Sequence, residues 1–217
     1  MSLVLIDLDG TLLEGAVSSE KIFFRYLFKQ RLLGVRQLGA FLYFFPRRFM
    51  EYGRLTPKKN KAYLAGLKEI PLAETARDFV GSQLMGRCCP KMLQRIDNHL
   101  AEGDVPVLIT GSLEIIARPI GSLLGIQHVR ATQCAVEKGF FTAKPPLIHP
   151  FGQEKVNLGR AIGREFGFKL QDAIAYGNDR FDIPLLEAVA RPVAVHPDRD
   201  LRRHALARSW EILDHHD

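Results

Sequence analysis

Cysteine and tryptophan are scarce in this chain: its 217 residues include three cysteines and one tryptophan. Three cysteines cannot build the disulfide framework of a small secreted domain. Cys88 and Cys89 are adjacent, which is not the spacing of a zinc-binding pair, and no matching Cys/His pair follows them. The three read as reduced thiols of a cytoplasmic protein. Long apolar runs are also missing. The longest, Leu38 to Phe45, lies between Arg36 and Pro46 and falls well short of the roughly 20 residues that span a bilayer. No basic residue precedes the first apolar run, so the amino terminus does not read as a signal peptide. There is no Gly-x-x-x-x-Gly-Lys-Ser/Thr phosphate loop, no Gly-x-Ser-x-Gly elbow, no internal repeat and no low-complexity segment. Those absences exclude the chemistry of P-loop nucleotide hydrolases and of serine hydrolases built on an elbow.

With 47% hydrophobic and 25% charged residues the composition is that of an ordinary globular protein. The length suits one large domain, or a core with a smaller insert. A net charge of +6 favours an anionic partner.

The most informative segment is the first. Leu3-Val4-Leu5-Ile6 reads as a buried strand, and Asp7-Leu8-Asp9-Gly10-Thr11 follows it. Two carboxylates two residues apart leave a strand in the same direction. The carboxyl ends of parallel strands are where open α/β sheets place their chemistry. Alone, the pair fits either a nucleophile with its acid/base partner or a metal-binding Asp-x-Asp.

Residues 14–85 read as helical. Ser18 and Ser19 offer helix caps, Thr56-Pro57 a helix start and Pro71 another. Residues 86–217 alternate strands and helices: strands at 105–109, 129–135, 140–143, 173–176 and 193–195, helices at 154–166 and 184–190, and a final strand at 210–213. This pattern predicts an α/β fold, a doubly wound and mostly parallel sheet with an inserted helical segment.

Three further pieces stand at predicted strand ends or near them. Thr110-Gly111-Ser112 follows a strand, with Ser112 expected to cap the next helix, so a hydroxyl, a glycine amide and a helix amino terminus would form an anion site. Lys155, early in a helix, offers a mobile positive charge suited to a phosphate. Gly177-Asn178-Asp179-Arg180-Phe181-Asp182 follows another strand. In this order the four pieces resemble the haloacid dehalogenase (HAD) superfamily of aspartate-nucleophile phosphatases. Within it they resemble most the phosphoserine-phosphatase-like branch (subfamily IB type), where a helical cap lies between the first and second motifs. The resemblance makes residues 1–13 and 86–217 the catalytic core and 14–85 the cap.

The resemblance also implies roles. Asp7 attacks phosphorus and forms an aspartyl-phosphate, while Asp9 protonates the leaving oxygen and then activates water. Thr110, the Gly111 amide and Lys155 hold the phosphoryl oxygens. Mg²⁺ is bound by Asp7, the Asp9 carbonyl and Asn178, with Asp182 as the second acid of the fourth motif. Asn178 departs from the family pattern, which has an aspartate there; it keeps a carbonyl oxygen but no charge, and so weakens the metal site. Asp179 is expected to point elsewhere. His128 reads as structural; His149, among prolines before Lys155, reads more readily as a loop residue than as a neighbour of the site; His215 and His216 read as tail.

Between residues 20 and 61 eleven basic residues face two acidic ones, interleaved with aromatics. A helical cap with solvated basic faces fits this, as does a surface resting on anionic membrane; no nucleic-acid-binding motif accompanies the charge. The expected function is a Mg²⁺-dependent phosphomonoester hydrolase acting on a small phosphorylated metabolite. The alternatives are a phosphatase of phospholipid phosphates at the membrane surface, resembling a phosphatidylglycerophosphatase, and a phospho-ligand-binding protein impaired by Asn178. The sequence does not give an oligomeric state.

Overall fold

Leu3, Val4, Leu5 and Ile6 are all buried because strand β1 (Leu3–Ile6) has packed side chains on both faces. Successive residues of a strand point to opposite sides. Val4 and Ile6 enter one core with Leu108, Ile116, Phe79 and Tyr176. Leu3 and Leu5 enter another with Val107, Val156, Ile162 and Leu201. An unbroken apolar run is what a strand in the middle of a covered parallel sheet requires.

The computed structural model describes residues 1–214; His215 and His216 lie outside the described residues. After β1 come five helices, α1 (Ser19–Lys29), α2 (Val35–Tyr52), α3 (Thr56–Lys59), α4 (Glu69–Phe79) and α5 (Pro90–Ala101). Then follow β2 (Val105–Leu113), α6 (Glu114–Leu123) and β3 (His128–Thr132), and a small hairpin of β4 (Val136–Glu137) and β5 (Phe140–Phe141). The chain closes with α7 (Gln153–Phe166), β6 (Ile174–Gly177), α8 (Ile183–Leu186), β7 (Arg191–Val195), α9 (Arg199–Ala207) and β8 (Glu211–Leu213).

The main sheet has the order β3-β2-β1-β6-β7-β8, and every neighbouring pair is parallel. The expected α/β class is borne out. From β1 the chain builds outward through β2 and β3, then crosses to the other side for β6, β7 and β8. The crevice beyond the carboxyl ends of β1 and β6 is therefore the switch point where open α/β sheets bind ligands.

Several local expectations need correction. Ser112 does not cap a helix: β2 runs on through Leu113 with an irregular register after Ile109, and α6 starts at Glu114 with Leu113 at its cap position. The Ser112 hydroxyl has a stronger use, described below. Thr56 does not cap α3 either, since its hydroxyl donates to the Gly53 carbonyl at 2.7 Å. Ser18 does cap α1, its Oγ accepting from the Lys21 N–H. Helix α4 begins two residues before Pro71, which its first turn accommodates because those amides have no partner within the helix.

Two helices were not read from sequence. α5 has Pro90 in its first turn and buries Met92, Ile96 and His99, a legible period that the polar residues between them obscure. α9 is capped by Asp198, whose Oδ1 accepts from the Leu201 N–H at 2.8 Å.

The packing of α6 on the sheet fixes one glycine. A β-carbon at Gly121 would sit 2.9 Å from the Ile126 carbonyl oxygen and 3.0 Å from Val129 Cγ2. The helix would have to move off the sheet, at a cost of about 1–3 kcal/mol. Gly81, exposed and just past the end of α4, has nothing within 4 Å of that position. Gly121→Ala is expected to lower the urea midpoint and Gly81→Ala to leave it equal or raise it; a Gly121→Ala protein as stable as wild type would show that α6 is not held this closely.

Candidate active site

Asp7 is the first residue past β1, and its amide continues the sheet by donating to the Tyr176 carbonyl at 3.1 Å. That bond fixes the backbone, so the side chain leaves the sheet at the switch point. It is buried, with 7% of its surface exposed. Asp7 Oδ1 receives Lys155 Nζ at 2.6 Å, and the same ammonium donates to Asp182 Oδ1 at 2.6 Å. Lys155 is only 4% exposed. Lys155 thus lies in the cavity as expected, but it is not a mobile charge: it is clamped at the start of α7 between two carboxylates.

One ammonium cannot neutralise two buried acids. Burial, followed by repulsion from Asp182, outweighs the attraction of Lys155 and pushes the Asp7 carboxyl up to about 7. Lys155 moves up as well: burial alone would lower it, but Asp182 and Asp7 more than offset that. Both oxygens of Asp182 are in use. Oδ1 holds Lys155, and Oδ2 accepts from the amides of Asn178 at 3.0 Å and Asp179 at 3.3 Å. Asp182 therefore organises the loop after β6. Asp179 turns back on its own loop, where Oδ1 accepts from the Phe181 N–H at 2.8 Å, and burial raises its carboxyl above the usual range.

Asp9 faces the same cavity but has different neighbours. Its Oδ1 accepts from the Ser19 N–H at 2.6 Å, and its Oδ2 takes the hydroxyls of Ser19 at 3.1 Å and of Ser112. The two serine hydroxyls are themselves 2.8 Å apart. Ser19 opens the first helix after β1 and Ser112 closes β2, so two segments far apart in sequence aim one carboxylate. From their sequence neighbours alone both serines read as helix caps, which hides this role. Their hydroxyls donate and accept, so they serve Asp9 with or without its proton.

Gly10 shows how close the loops lie. Its φ is +84°, and a β-carbon there would fall 2.0 Å from Asn178 Nδ2. Only glycine lets the Asn178 carboxamide rest against the backbone directly after Asp9. Asp7, Asp9 and Asn178 line the same cavity, and the oxygens they can offer (the Asp7 carboxylate, the Asp9 carbonyl and the Asn178 amide) are all hard donors. That set, with surplus negative charge around Asp7, fits a divalent cation of the magnesium type.

Thr110 and Ser112 are buried, and Thr110 Oγ1 accepts from the Ser112 N–H at 3.1 Å. Gly111 lies in the irregular end of β2 rather than at a helix terminus. Its carbonyl accepts from Thr132 Oγ1 at 2.6 Å, and Thr132 Oγ1 is 2.8 Å from His149 Nδ1. Since that hydroxyl spends its hydrogen on Gly111, His149 must be the donor. His149 therefore carries its proton on Nδ1 and leaves Nε2 as a buried acceptor without a partner.

The cavity holding these groups measures about 870 Å³. Its far wall comes from the helical segment: Phe24, Phe41 and Tyr63, with Lys21, Arg25 and Lys61. Glu20 is engaged there by Lys61 and by the Tyr63 hydroxyl. Lys58 Nζ spans to the other wall, 4.2 Å from the centre of the Phe151 ring and 4.6 Å from that of Phe181. His128 packs against Phe166 outside the cavity, the rings tilted by 53°, as a structural residue would. Also outside it, Cys89 Sγ lies 3.5 Å from His196 Nε2, a neighbour 107 positions away that no spacing rule would find.

Burial, and then the lysines at 61, 59 and 58, push the His149 imidazole down to about 3. An unfolded chain takes up a proton there near pH 6.5, whereas the folded chain refuses it until about pH 3. Stability must fall as pH drops through that window. Between pH 7 and pH 5 the wild type is expected to lose about 2 kcal/mol more than His149→Gln, read from urea midpoints. Equal losses in the two proteins would show that the folded state protonates this imidazole freely.

A family model described as haloacid dehalogenase-like hydrolase matches residues 4–187. The "Inhibition of morphological differentiation protein" of Streptomyces azureus is 36% identical over 169 residues, which cover 73% of this chain and 59% of that protein. This chain thus spans little more than half the length of that relative. A histidinol-phosphatase of Neisseria meningitidis serogroup C is 28% identical over 221 residues, covering 98% of each. Among solved structures, a protein of unknown function from Bordetella pertussis Tohama I superposes with a TM-score of 0.82 at 27% identity, covering 98% of this chain and 97% of that one. With its four motifs gathered at the switch point of a parallel sheet, the chain belongs to the haloacid dehalogenase-like hydrolase family.

Proposed function

We propose that the protein is a Mg²⁺-dependent phosphomonoester hydrolase that works through an aspartyl-phosphate on Asp7. The observation that carries this reading is the pairing of two differently furnished carboxylates. Asp7 is clamped by a buried ammonium and Asp9 is aimed by two hydroxyls and an amide. Environments that differ in this way separate a nucleophile from an acid/base group.

In the first step an oxygen of Asp7 attacks phosphorus, and the bond from phosphorus to the substrate oxygen breaks. That oxygen leaves with a proton from Asp9. In the second step water gives a proton to Asp9 and attacks the same phosphorus. The bond to Asp7 breaks, releasing inorganic phosphate and restoring both carboxyl groups. Splitting the displacement this way replaces one difficult step by two easier ones. Lys155, Thr110 and the Gly111 amide are the groups offered to the phosphoryl oxygens. Lys155 would turn from Asp182 and Asp7 toward the phosphate as its charge arrives. A bound Mg²⁺, held by Asp7, the Asp9 carbonyl and Asn178 with Asp182 behind them, would neutralise phosphoryl charge that otherwise repels the nucleophile.

In this proposal residues 14–85 act as a cap over a core of residues 1–13 and 86–217. The cap closes on the substrate, excludes water and selects the leaving group. Its contribution to the cavity is basic through Lys21, Arg25 and Lys58. That charge suits a phosphomonoester carrying a further anionic group better than an amino-alcohol phosphate of the kind the neisserial relative is named for.

Two outcomes are expected with a generic aryl phosphate. With saturating Mg²⁺, Asp7→Asn lowers kcat by about 10³-fold or more; residual activity within tenfold of wild type would remove Asp7 from the chemistry. Asn178→Asp adds a charge at the metal position and lowers the Mg²⁺ concentration for half-maximal rate by about tenfold, roughly 1.4 kcal/mol. An unchanged requirement would place the ion elsewhere. Activity absent in wild type and restored in Asn178→Asp would make this chain a phospho-ligand-binding protein.

A further inference from the structure

Helix α2 turns two unlike faces to its surroundings. Gln37 and Phe44 are buried on one of them, and Phe41 beside them packs on Phe24 and Tyr63 in the cavity wall. The other face carries Val35, Leu38, Leu42, Phe45 and Phe49, spaced by three and four residues, which puts them in one stripe along the helix. All five are exposed, at 89%, 37%, 70%, 41% and 49%. Met50 and Tyr43 flank them at 94% and 63%. An amphipathic helix normally turns its apolar stripe to the core. Here Gln37, Phe41 and Phe44 already meet the core, about a quarter turn round the helix, and the stripe with Met50 and Tyr43 is left exposed, a contiguous patch of the sort that marks an interaction surface.

The charge around the stripe has one sign. Arg36 and Arg47 lie beyond Met50 and Tyr43 on the exposed side of the helix, Arg31 precedes the helix and Arg54 follows it, and among the described residues no carboxylate pairs with these four. Both acids of this segment are engaged elsewhere. Glu51 pairs with Arg48 at 2.7 Å, and Glu20 is taken by Lys61 and Tyr63 inside the cavity wall. A second copy of the chain seated on this face would bring two sets of arginines together with nothing to neutralise them. An anionic bilayer offers what the face lacks. Its acyl boundary accepts Leu and Phe side chains, and its phosphates accept guanidinium groups. Tyr43, with the Arg47 guanidinium 5.9 Å from its ring centre, is the amphipathic pair that suits headgroup depth. Among the described residues no helix is long and apolar enough to cross a membrane, so α2 would lie along the surface.

We propose that α2 docks the protein flat on an anionic lipid surface, with the Val35-to-Phe49 stripe at the boundary between headgroups and acyl chains. This goes beyond the phosphatase reading and does not depend on it. It places a wall of the catalytic cavity, through Phe41, on the helix that touches the bilayer.

Sedimentation of the full chain with vesicles tests it. Phosphatidylcholine vesicles are compared with vesicles containing about 30% phosphatidylglycerol, at low and high salt. The wild type is expected to bind the anionic vesicles at least about tenfold more tightly, and to lose that preference at high salt. Leu42→Ser with Phe49→Ser, and separately Arg47→Gln with Arg54→Gln, are each expected to weaken binding by about tenfold. Circular dichroism and aryl phosphate hydrolysis should match wild type in both variants, which reports folding and the catalytic reading independently. Three results would overturn the proposal: no binding of wild type to anionic vesicles at low salt, binding that the stripe variant leaves unchanged, or a wild-type dimer in ultracentrifugation that the stripe variant dissociates.

Discussion

The ammonium of Lys155, 2.6 Å from one oxygen of Asp7 and 2.6 Å from one of Asp182, joins three segments that meet only in the folded chain. It ties the end of β1 to the start of α7 and to the loop after β6. Removing one partner of such a buried cluster leaves an uncompensated charge and typically costs about 3–5 kcal/mol. Two carboxylates share this one cation, and burial, with repulsion from Asp182 added, lifts the Asp7 carboxyl to about 7 in spite of Lys155. That surplus gives the site its chemical character. In the proposed reaction it would favour a divalent cation beside Asp7 and hold the attacking carboxylate in place without fully neutralising it.

Everything near the reacting centre follows from where the sheet ends. β1 and β6 are neighbours, so Asp7 and the loop from Asn178 to Asp182 leave the sheet side by side. β2 lies on the other side of β1, and its irregular end brings Ser112 to Asp9. The helical segment contributes Ser19 to the same carboxylate and Lys58 to the opposite wall. Cap and core, in the proposed division, therefore share the positioning of Asp9. Any movement of the first helix is then felt at Asp9 and not only at the mouth of the cavity.

Much of this was legible in the sequence. An unbroken apolar run before Asp7-Leu8-Asp9 marks a central parallel strand because both of its faces must be covered. The later alternation of strands and helices gives the doubly wound sheet for the same reason. Local pattern failed where partners come from far away. Ser19 and Ser112 look like helix caps from their neighbours, but the hydrogen bonds they make run to Asp9, 103 residues from Ser112. Lys155 looks like a surface lysine in an amphipathic helix, and only the three-dimensional meeting with Asp7 and Asp182 buries it. The apolar stripe of α2 was visible as composition, yet its outward orientation was not, since periodicity gives a face without saying what covers it.

Capture of the covalent intermediate tests the central claim most directly. The enzyme would be mixed with an aryl phosphate and Mg²⁺ and quenched in acid during turnover. Borohydride, which reduces an acyl phosphate to an alcohol, would follow, and then peptide mass spectrometry. The account expects homoserine in place of aspartate at position 7 and an unmodified aspartate at position 9. Reduction at Asp9, or turnover with no trapped residue at Asp7, would contradict it.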